Sequence, residues 1–559
     1  MKRGTIGIIL GAAKVRDELV PVFGAIPSTL IPINGRPAVF FILEHFKSIG
    51  IKKVYISTGY KEQKVARLLE AYGKEKEFVI QPIRIDSTKR PGTALIEILK
   101  KMPKDERERN GIYVHLADTL PVQKVIPLLS EDFVVVSKEY QGSEKWCVVD
   151  TSPKNNMVVS IYDKQPYMEG KQALVGVYNI TTPALFTKLP KGNYEISYLL
   201  AILLKKNIPI KAIPIKGWLD LGHVGKYYQA KRRLLQTRNF NKLTSDSRAN
   251  TIVKRSSRGD ILKKEINWYL HIPKELSIYA PRVIDHNVRD TKNMFAELEF
   301  YGYPSLSELW LYSGLSVSIW QTILDRVFSI LNQFRTYTRS VPMSDYVAMY
   351  EKKTLDRVAQ ARASNKVLKD LLDAPVVIVN KQKLHGWVYF EKKLHTFAKQ
   401  LYDTADNSFL HGDFCFSNIL FDLNHGVVKL VDPRGEWGSQ SFYGDCKYDV
   451  AKLRHSVSGM YDHIVQGHTQ LEFTPARIGN TQVPTLTITF PLATKLNAEM
   501  ATYLDQQIME YWDLNQIKLI EALLFVSMIP LHGDNQKRQI AMFARGIVLL
   551  NELEASGTL

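Results

Sequence analysis

Residues 409–435 read FLHGDFCFSNILFDLNHGVVKLVDPRG, and the organisation of the chain follows outward from them. An apolar run opens the stretch, a polar break comes at His411-Gly412-Asp413, and apolar residues resume at Ile419-Leu420-Phe421. Asn424 and Gly426 favour a turn, after which residues 427–431 read as a second strand ending on Asp432. The pattern predicts a loop and a hairpin that present Asp413, Asn418 and Asp432 together. Phosphoryl transfer to an alcohol needs such a set: one carboxylate for the hydroxyl proton, and an amide with a second carboxylate to hold magnesium on nucleotide phosphates. Magnesium takes hard oxygen ligands and keeps several waters, so one Asn and one Asp suffice. A surface hairpin would explain any one of these residues, but the spacing H-G-D-x-x-x-x-N before a strand ending in Asp is far rarer. A second His-Gly-Asp at residues 532–534 lacks both the Asn and the strand, and reads as a turn between helices.

At 559 residues the chain is too long for one core, so two or three domains are expected. Hydrophobic residues at 45% and charged residues at 23% describe a globular protein rather than a disordered or fibrous one. No run of about 18 apolar residues stands out, so no transmembrane segment is expected. The N-terminal MKRGTIGIILGAAKVRDELV mimics a signal peptide, but its apolar run is short and flows into a βα pattern, so it reads as a buried strand. Cys147, Cys415 and Cys446 form no CxxC pair, which argues against a disulfide framework or zinc site and suits the cytoplasm. The net charge of +18 is spread among acidic residues without a Lys/Arg block, so direct nucleic-acid function is set aside. A positive field also suits anionic nucleotides or an acidic membrane surface.

The first 240 residues alternate short apolar runs with helical patterns: strands at 5–10, 53–58 and 112–116, helices at 38–49, 63–72 and 92–101. Such βαβ alternation predicts an α/β fold with a doubly wound, mostly parallel sheet and ligands at the carboxyl ends of its strands. Gly11, Lys14 and Arg16 lie where a phosphate-cradling loop would follow the first strand, and Gly92 and Thr93 open a helix whose N–H groups can meet a nucleotide. Asp118 and Asp220 each end an apolar segment and could together hold magnesium on a triphosphate; either alone also suits a strand-end carboxylate.

Residues 227–235 read as the helix closing this domain, and the polar stretch 237–250 as its boundary, giving domains 1–243 and 244–559. Residues 251–254 form a strand ending in Lys254, and 261–270 a helix carrying Glu265; a lysine on nucleotide phosphates tethered by a helix glutamate is a kinase small-lobe device. Residues 295–300, FAELEF with Glu297, are the candidate strand for adenine. The second domain is thus expected to be a two-lobed, kinase-like α+β unit with a short small lobe, about 244–303, and a helical large lobe, about 304–559. Residues 305–405 read as helical with core-spaced aromatics, 470–492 contains TLTITF, an edge strand or flap, and 515–553 is helical again.

The segment 409–435 resembles the catalytic core of the aminoglycoside phosphotransferase and choline kinase group, relatives of protein kinases. The resemblance implies Asp413 as catalytic base, Asn418 and Asp432 as metal ligands, His411 as a brace of the loop and Asp449 as a structural aspartate. Pro433-Arg434-Gly435 replaces the Phe-Gly of protein kinases, so no activation switch of that kind is expected.

Residues 2–235 resemble the sugar-1-phosphate nucleotidyltransferases and the related cytidylyltransferases. That resemblance implies metal binding by Asp118 and Asp220, nucleotide contacts near Gly92-Thr93-Ala94, Lys164 of IYDKQP beside the substrate phosphate, and Gly176 and Glu195 at the sugar. The chain departs from the family twice. Its ILGAAKVR puts Ala12 and Lys14 where the family's glycine-rich loop has glycines, and Ser28 replaces the lysine of P-K-x-L. A Cβ at Ala12 narrows the approach to phosphate, and a missing lysine removes charge that would stabilise departing pyrophosphate; Lys14 and Arg16 are the candidate substitutes.

Together these readings describe a cytoplasmic bifunctional enzyme. It would phosphorylate a sugar or small alcohol with ATP, then couple that phosphate to CTP, UTP, GTP or dTTP with Mg2+, feeding capsule or lipopolysaccharide synthesis. The competing reading keeps the kinase but gives it a degenerate nucleotide-binding front domain. Self-association into a homo-oligomer is left open.

Overall fold

The computed structural model describes residues 4–121, 131–140, 142–168, 170–235, 241–246, 249–256, 259–290, 293–439, 442–478 and 481–558. The chain divides into two compact units, Met1–Leu234 with Tyr312–Gly314, and Leu235–Leu311 with Leu315–Leu559.

The first unit is built on a nine-stranded sheet. Thr5–Leu10 lies at its centre and pairs in parallel with Lys53–Thr58 and Gly111–Leu116; Val79–Arg84 continues the parallel half. In the other half Ile210–Pro214 pairs in parallel with Asp132–Ser137, and the remaining pairings are antiparallel. Gln172–Ile180 runs antiparallel to Gly111–Leu116, Asp132–Ser137 and Cys147–Thr151, and the last of these pairs antiparallel with Val158–Asp163. The sheet is the expected α/β one, with antiparallel pairings added to its parallel ones: the first three strands are linked through helices, whereas Cys147–Thr151 returns through a short turn with Asn156 at φ 55°. Helix Pro91–Lys101 shows why the parallel half forms. Pro91 suits the first turn, Lys100 and Lys101 complement the C-terminal dipole, and Leu95, Ile98 and Leu99 share one apolar face. That face is fully buried in a core with Ile8, Val114, Leu199 and Leu203.

In the second unit a four-stranded antiparallel sheet runs in the order Asn241–Asp246, Thr251–Ser256, Phe295–Glu299, Val283–Asn287. The polar stretch expected as a linker thus contains an edge strand; it pairs over its full length with Thr251–Ser256 and belongs to this unit. An edge strand has few core contacts, and its composition is accordingly polar. The large lobe is mainly helical, but residues 305–405 also hold a hairpin, Val376–Val379 with Gln382–His385, turned through Asn380 and Lys381 at φ 48° and 69°. TLTITF, but for its final Phe490, lies in Thr481–Thr489, which sits between Val376–Val379 and Gln470–Ile478 and is an interior strand rather than an edge. Leu514–His532 is apolar and long enough to cross a membrane by composition, yet most of it is buried, and Glu521 within it pairs with Arg454. His532 ends that segment, and Asp534 lies in the turn between it and Gln536–Ala555.

Candidate active sites

In the second unit the loop before the hairpin Ile419–Asp422 and Val427–Leu430 is pinned from behind. The Asp449 carboxylate, on helix Lys447–Val457, accepts from the backbone N–H groups of His411 and Gly412 at 2.7 and 2.9 Å. Burial pushes Asp449 up to about 7, against the pull of those two donors. His411 is buried as well, which lowers it to about 4 and keeps its ring neutral, and its Nδ1 accepts from the Asp413 N–H at 3.3 Å. The fixed loop then presents Asp413. Asn418 Nδ2 donates to Asp413 Oδ2 at 2.8 Å, and Lys452 Nζ pairs with Oδ1 at 2.9 Å. Burial would raise the Asp413 carboxyl, but the Lys452 ammonium outweighs it and holds Asp413 well below the usual carboxylate range.

Lys254 projects from Thr251–Ser256 into the same neighbourhood, where Nζ pairs with Glu265 at 2.6 Å and with Asp432 at 2.8 Å. Burial disfavours that ammonium, yet the two carboxylates outweigh it and leave its affinity for the proton raised. Asp432 adopts φ 55° and donates its N–H to Tyr269 Oη at 3.2 Å. Gly435, at φ 73°, is required by close approach: a Cβ there would lie 2.2 Å from the carbonyl oxygen of Lys264, on the helix that carries Glu265. Glu297 does not join the set. Residue 253 faces 297 across the ladder and Lys254 faces 296, so with side chains alternating, Glu297 projects from the opposite face, where it accepts from Thr251 Oγ1 at 2.6 Å.

In the first unit the short strands Thr119–Pro121 and Trp218–Asp220 pair antiparallel, placing Asp118 next to Asp220. A Cβ built on Gly222 would stand 3.2 Å from Asp118 Oδ2 and 3.3 Å from both Asp220 Oδ1 and Arg16 Nε, so the three groups converge on one point. Burial raises the Asp118 carboxyl, the Asp220 charge adds to it, and Arg16 opposes. His223 links the cluster: Nδ1 is 2.6 Å from Asp220 Oδ2, and Nε2 is 2.7 Å from Arg16. Its ring packs edge-on to Trp146, whose carbonyl accepts from the Lys164 N–H at 2.9 Å. Lys164 Nζ lies 3.5 Å from Glu195, which also takes Arg90 at 2.5 Å. The buried Tyr178 feels the charges of both Asp118 and Glu195, so these groups share one neighbourhood.

Other expected contacts in this unit are committed to the fold. A Cβ on Gly92 would lie 2.4 Å from the Glu195 carbonyl, and Thr93 exchanges hydrogen bonds with the Tyr194 backbone. Gly11 donates its N–H to Ser57, Lys14 pairs with Asp17 on the surface, and Gly176 adopts φ 90° in Gln172–Ile180. Ala12 and Ser28 are both buried.

Sequence reasoning missed Lys452, Arg90 and His223. Each lies within three residues of an expected site residue, at Asp449, Gly92 and Asp220, and helical or turn spacing brings such neighbours onto one face. Among the described residues no cluster of three or more His, Cys, Asp or Glu side chains can hold a metal by itself. The donors still fit magnesium. Two adjacent carboxylates at 118 and 220 repel each other until a cation intervenes, and Asn418 with Asp432 offers hard oxygens where phosphates would complete the shell.

Comparison with known proteins separates the two units. Residues 235–460 match the family described as "Phosphotransferase enzyme family". The nucleotidyltransferase Agl11 of low-salt glycan biosynthesis in Haloferax volcanii is 22% identical over 253 residues, 42% of this chain and 68% of that protein. The UTP–glucose-1-phosphate uridylyltransferase AglF of the same organism is 23% identical over 240 residues, covering 41% of this chain and 95% of that protein. A crystal structure assigned as a glucose-1-phosphate thymidylyltransferase from Bacillus anthracis aligns at 20% identity and TM-score 0.36, covering 43% of this chain and 98% of that one.

Proposed function

We propose that this chain, an enzyme with a phosphotransferase-family domain in its C-terminal part and a sugar-nucleotidyltransferase-like N-terminal part, carries out two consecutive steps on one small molecule. The C-terminal unit transfers the γ-phosphoryl group of ATP to a hydroxyl of a sugar or small alcohol. The acceptor oxygen bonds to phosphorus, the bond to the β-phosphate oxygen breaks, ADP leaves, and Asp413 receives the proton. A carboxylate held this acidic is a weak base, which a loose phosphoryl-transfer transition state tolerates; its main task is to orient the hydroxyl. Lys254, fixed between Glu265 and Asp432, meets the α- and β-phosphates. Asn418 and Asp432 would hold Mg2+, which neutralises charge developing on the phosphates.

The N-terminal unit then joins that phosphate to a nucleoside triphosphate. A phosphate oxygen of the acceptor attacks the α-phosphorus and pyrophosphate departs. Asp118 and Asp220 would hold the metal, Lys164 the acceptor phosphate, and Arg16 supplies positive charge beside the carboxylates. Cytoplasmic synthesis of an activated precursor for a capsule or lipopolysaccharide fits these steps and the glycan-pathway relative.

The observation that carries the reading is the meeting of Lys254, Glu265 and Asp432 in one ion-paired set, with Asp413 fixed by Asn418 and Lys452 on the neighbouring loop. Buried Ala12 and Ser28 favour one alternative, in which the front unit binds a nucleotide without transferring it. The test supplies sugars and small alcohols with ATP, then adds each of CTP, UTP, GTP and dTTP. A phosphorylated acceptor followed by pyrophosphate release supports both steps; phosphorylation without pyrophosphate from any pairing leaves only the kinase.

A further inference from the structure

Beside Asp413 lies a group of cations that neither proposed step has used. Lys353 and Arg357 sit one turn apart on helix Lys353–Ser364, so they share a face. The turn before them, Val347–Lys352, is π-helical, an irregularity that re-aims the following residues and recurs at functional sites. Tyr448 is where the group meets: Lys353 Nζ is 3.4 Å from its hydroxyl and 5.0 Å from its ring centre, and Arg434 donates to the hydroxyl at 3.1 Å. Arg434 is tied to the catalytic loop, since its N–H donates to the His411 carbonyl at 2.9 Å and its Cβ packs over Gly412. Arg357 donates to the Ser527 carbonyl at 3.2 Å.

None of these three cations forms an ion pair with a carboxylate among the described residues, although each is half-buried. Asp413, whose charge reaches Arg357, is taken by Lys452. Burial and the neighbouring charges of Arg434, Arg357 and Lys452 all disfavour the Lys353 ammonium. Three like charges held together without a counter-ion are destabilising unless an anion occupies the space between them. The nucleotide phosphates already have Lys254; burial and the Arg434 charge disfavour the Arg357 guanidinium, while Tyr448 and Asp413 act the other way, which sets Arg357 within reach of the Asp413 charge, on the side where the acceptor hydroxyl must lie.

We propose that the acceptor phosphorylated by the C-terminal unit carries an anionic group, a carboxylate or a phosphate, seated on Lys353, Arg357 and Arg434 beside Asp413. The inference rests on the kinase reading of that unit and names its substrate class. Charge-assisted contacts of this kind select an acid over its neutral analogue, because the neutral analogue leaves the cations unpaired.

The test uses the full chain with matched acceptors: glucose, glucuronate and glucose 6-phosphate, and glycerol, glycerate and glycerol phosphate. An acidic member should exceed its neutral partner in kcat/KM by roughly tenfold or more. The two acidic arms then tell a carboxylate from a phosphate. Lys353→Met and Arg357→Met should each raise the KM for the acidic acceptor about tenfold and not the KM for ATP. Lys353→Arg should restore it. Both neutral variants should melt at or above the wild-type temperature, since each relieves repulsion. Preference for the neutral acceptors, or a change in the KM for ATP alone, overturns the proposal. Calorimetric titration of glucuronate and glucose 6-phosphate without ATP keeps the two readings apart. Binding that both variants weaken upholds the anion site even if Asp413→Asn matches the wild type in ATP turnover, a result that would remove only the kinase reading. Turnover of neutral acceptors with no binding of either acid removes the anion site and leaves the kinase.

Discussion

The two candidate sites solve the same electrostatic problem differently. In the C-terminal unit the charges are answered by side chains: Lys254 stands between Glu265 and Asp432, and Lys452 answers Asp413. In the N-terminal unit two carboxylates lie side by side, burial and then the Asp220 charge push Asp118 up, and Arg16 reaches Asp220 through His223. The first arrangement is pre-organised before any ligand arrives. The second sets one guanidinium, Arg16, beside two carboxylates, so its assembly should depend more on a metal and a nucleotide.

The largest expected effect is at the centre of the pre-organised site. Asp413→Asn is nearly isosteric and should leave the fold intact while slowing phosphorylation by roughly a hundredfold or more, about 3 kcal/mol in the barrier. Pyrophosphate release from an acceptor phosphorylated beforehand should be unchanged. Loss of both activities in a folded Asp413→Asn variant would break the comparison, because the sites would not be separate.

Next comes the cation behind the base. Lys452→Met leaves Asp413 half-buried without its partner, and should lower kcat for phosphorylation by roughly ten- to a hundredfold. A steady-state assay with saturating ATP and acceptor reads this directly; a change in KM for ATP with kcat intact would place Lys452 outside the site. Chelation sharpens the contrast by a different measurement. Added EDTA should stop both reactions, but magnesium should raise the melting temperature of an Asp432→Ala variant more than that of an Asp220→Ala variant. Equal responses would show that the carboxylate pair of the N-terminal unit does not bind the ion.

What could be read in advance divides along the same line. Asp413, Asn418 and Asp432 were legible because a loop and a two-strand hairpin fix them within 20 residues, and local geometry is encoded locally. Lys254 with Glu265 followed from a strand and the next helix. The side on which Glu297 projects was not legible, because it depends on which sheet face turns to the site, and that is set by packing rather than by pattern. The first unit's parallel half was legible from its βαβ alternation, whereas its antiparallel half depends on pairings such as Gln172–Ile180 with Gly111–Leu116, far apart in sequence. Gly92 looked like a ligand-facing glycine, but the Tyr194–Glu195 backbone, a hundred residues on, fills the space beside it.

The smallest expected effect probes how tightly the looser site is drawn together. Gly222 has no positive φ, so alanine suits its backbone, and its added methyl would meet Asp118, Asp220 and Arg16 at 3.2–3.3 Å. At that distance each polar group must give by a few tenths of an ångström. Side chains with no metal between them can do so at little cost, and Gly222→Ala should keep its melting temperature within a few degrees of the wild type. Once a metal bridges the two carboxylates the same shift is resisted, because magnesium demands near-ideal octahedral geometry. Pyrophosphate release should therefore fall several-fold, with a matching rise in the magnesium concentration needed for half-maximal rate, while phosphorylation by the C-terminal unit is untouched. A Gly222→Ala variant that releases pyrophosphate at the wild-type rate and magnesium requirement would mean that Asp118 and Asp220 do not act on one ion, and the contrast between the two sites would rest on Arg16 and Lys164 instead.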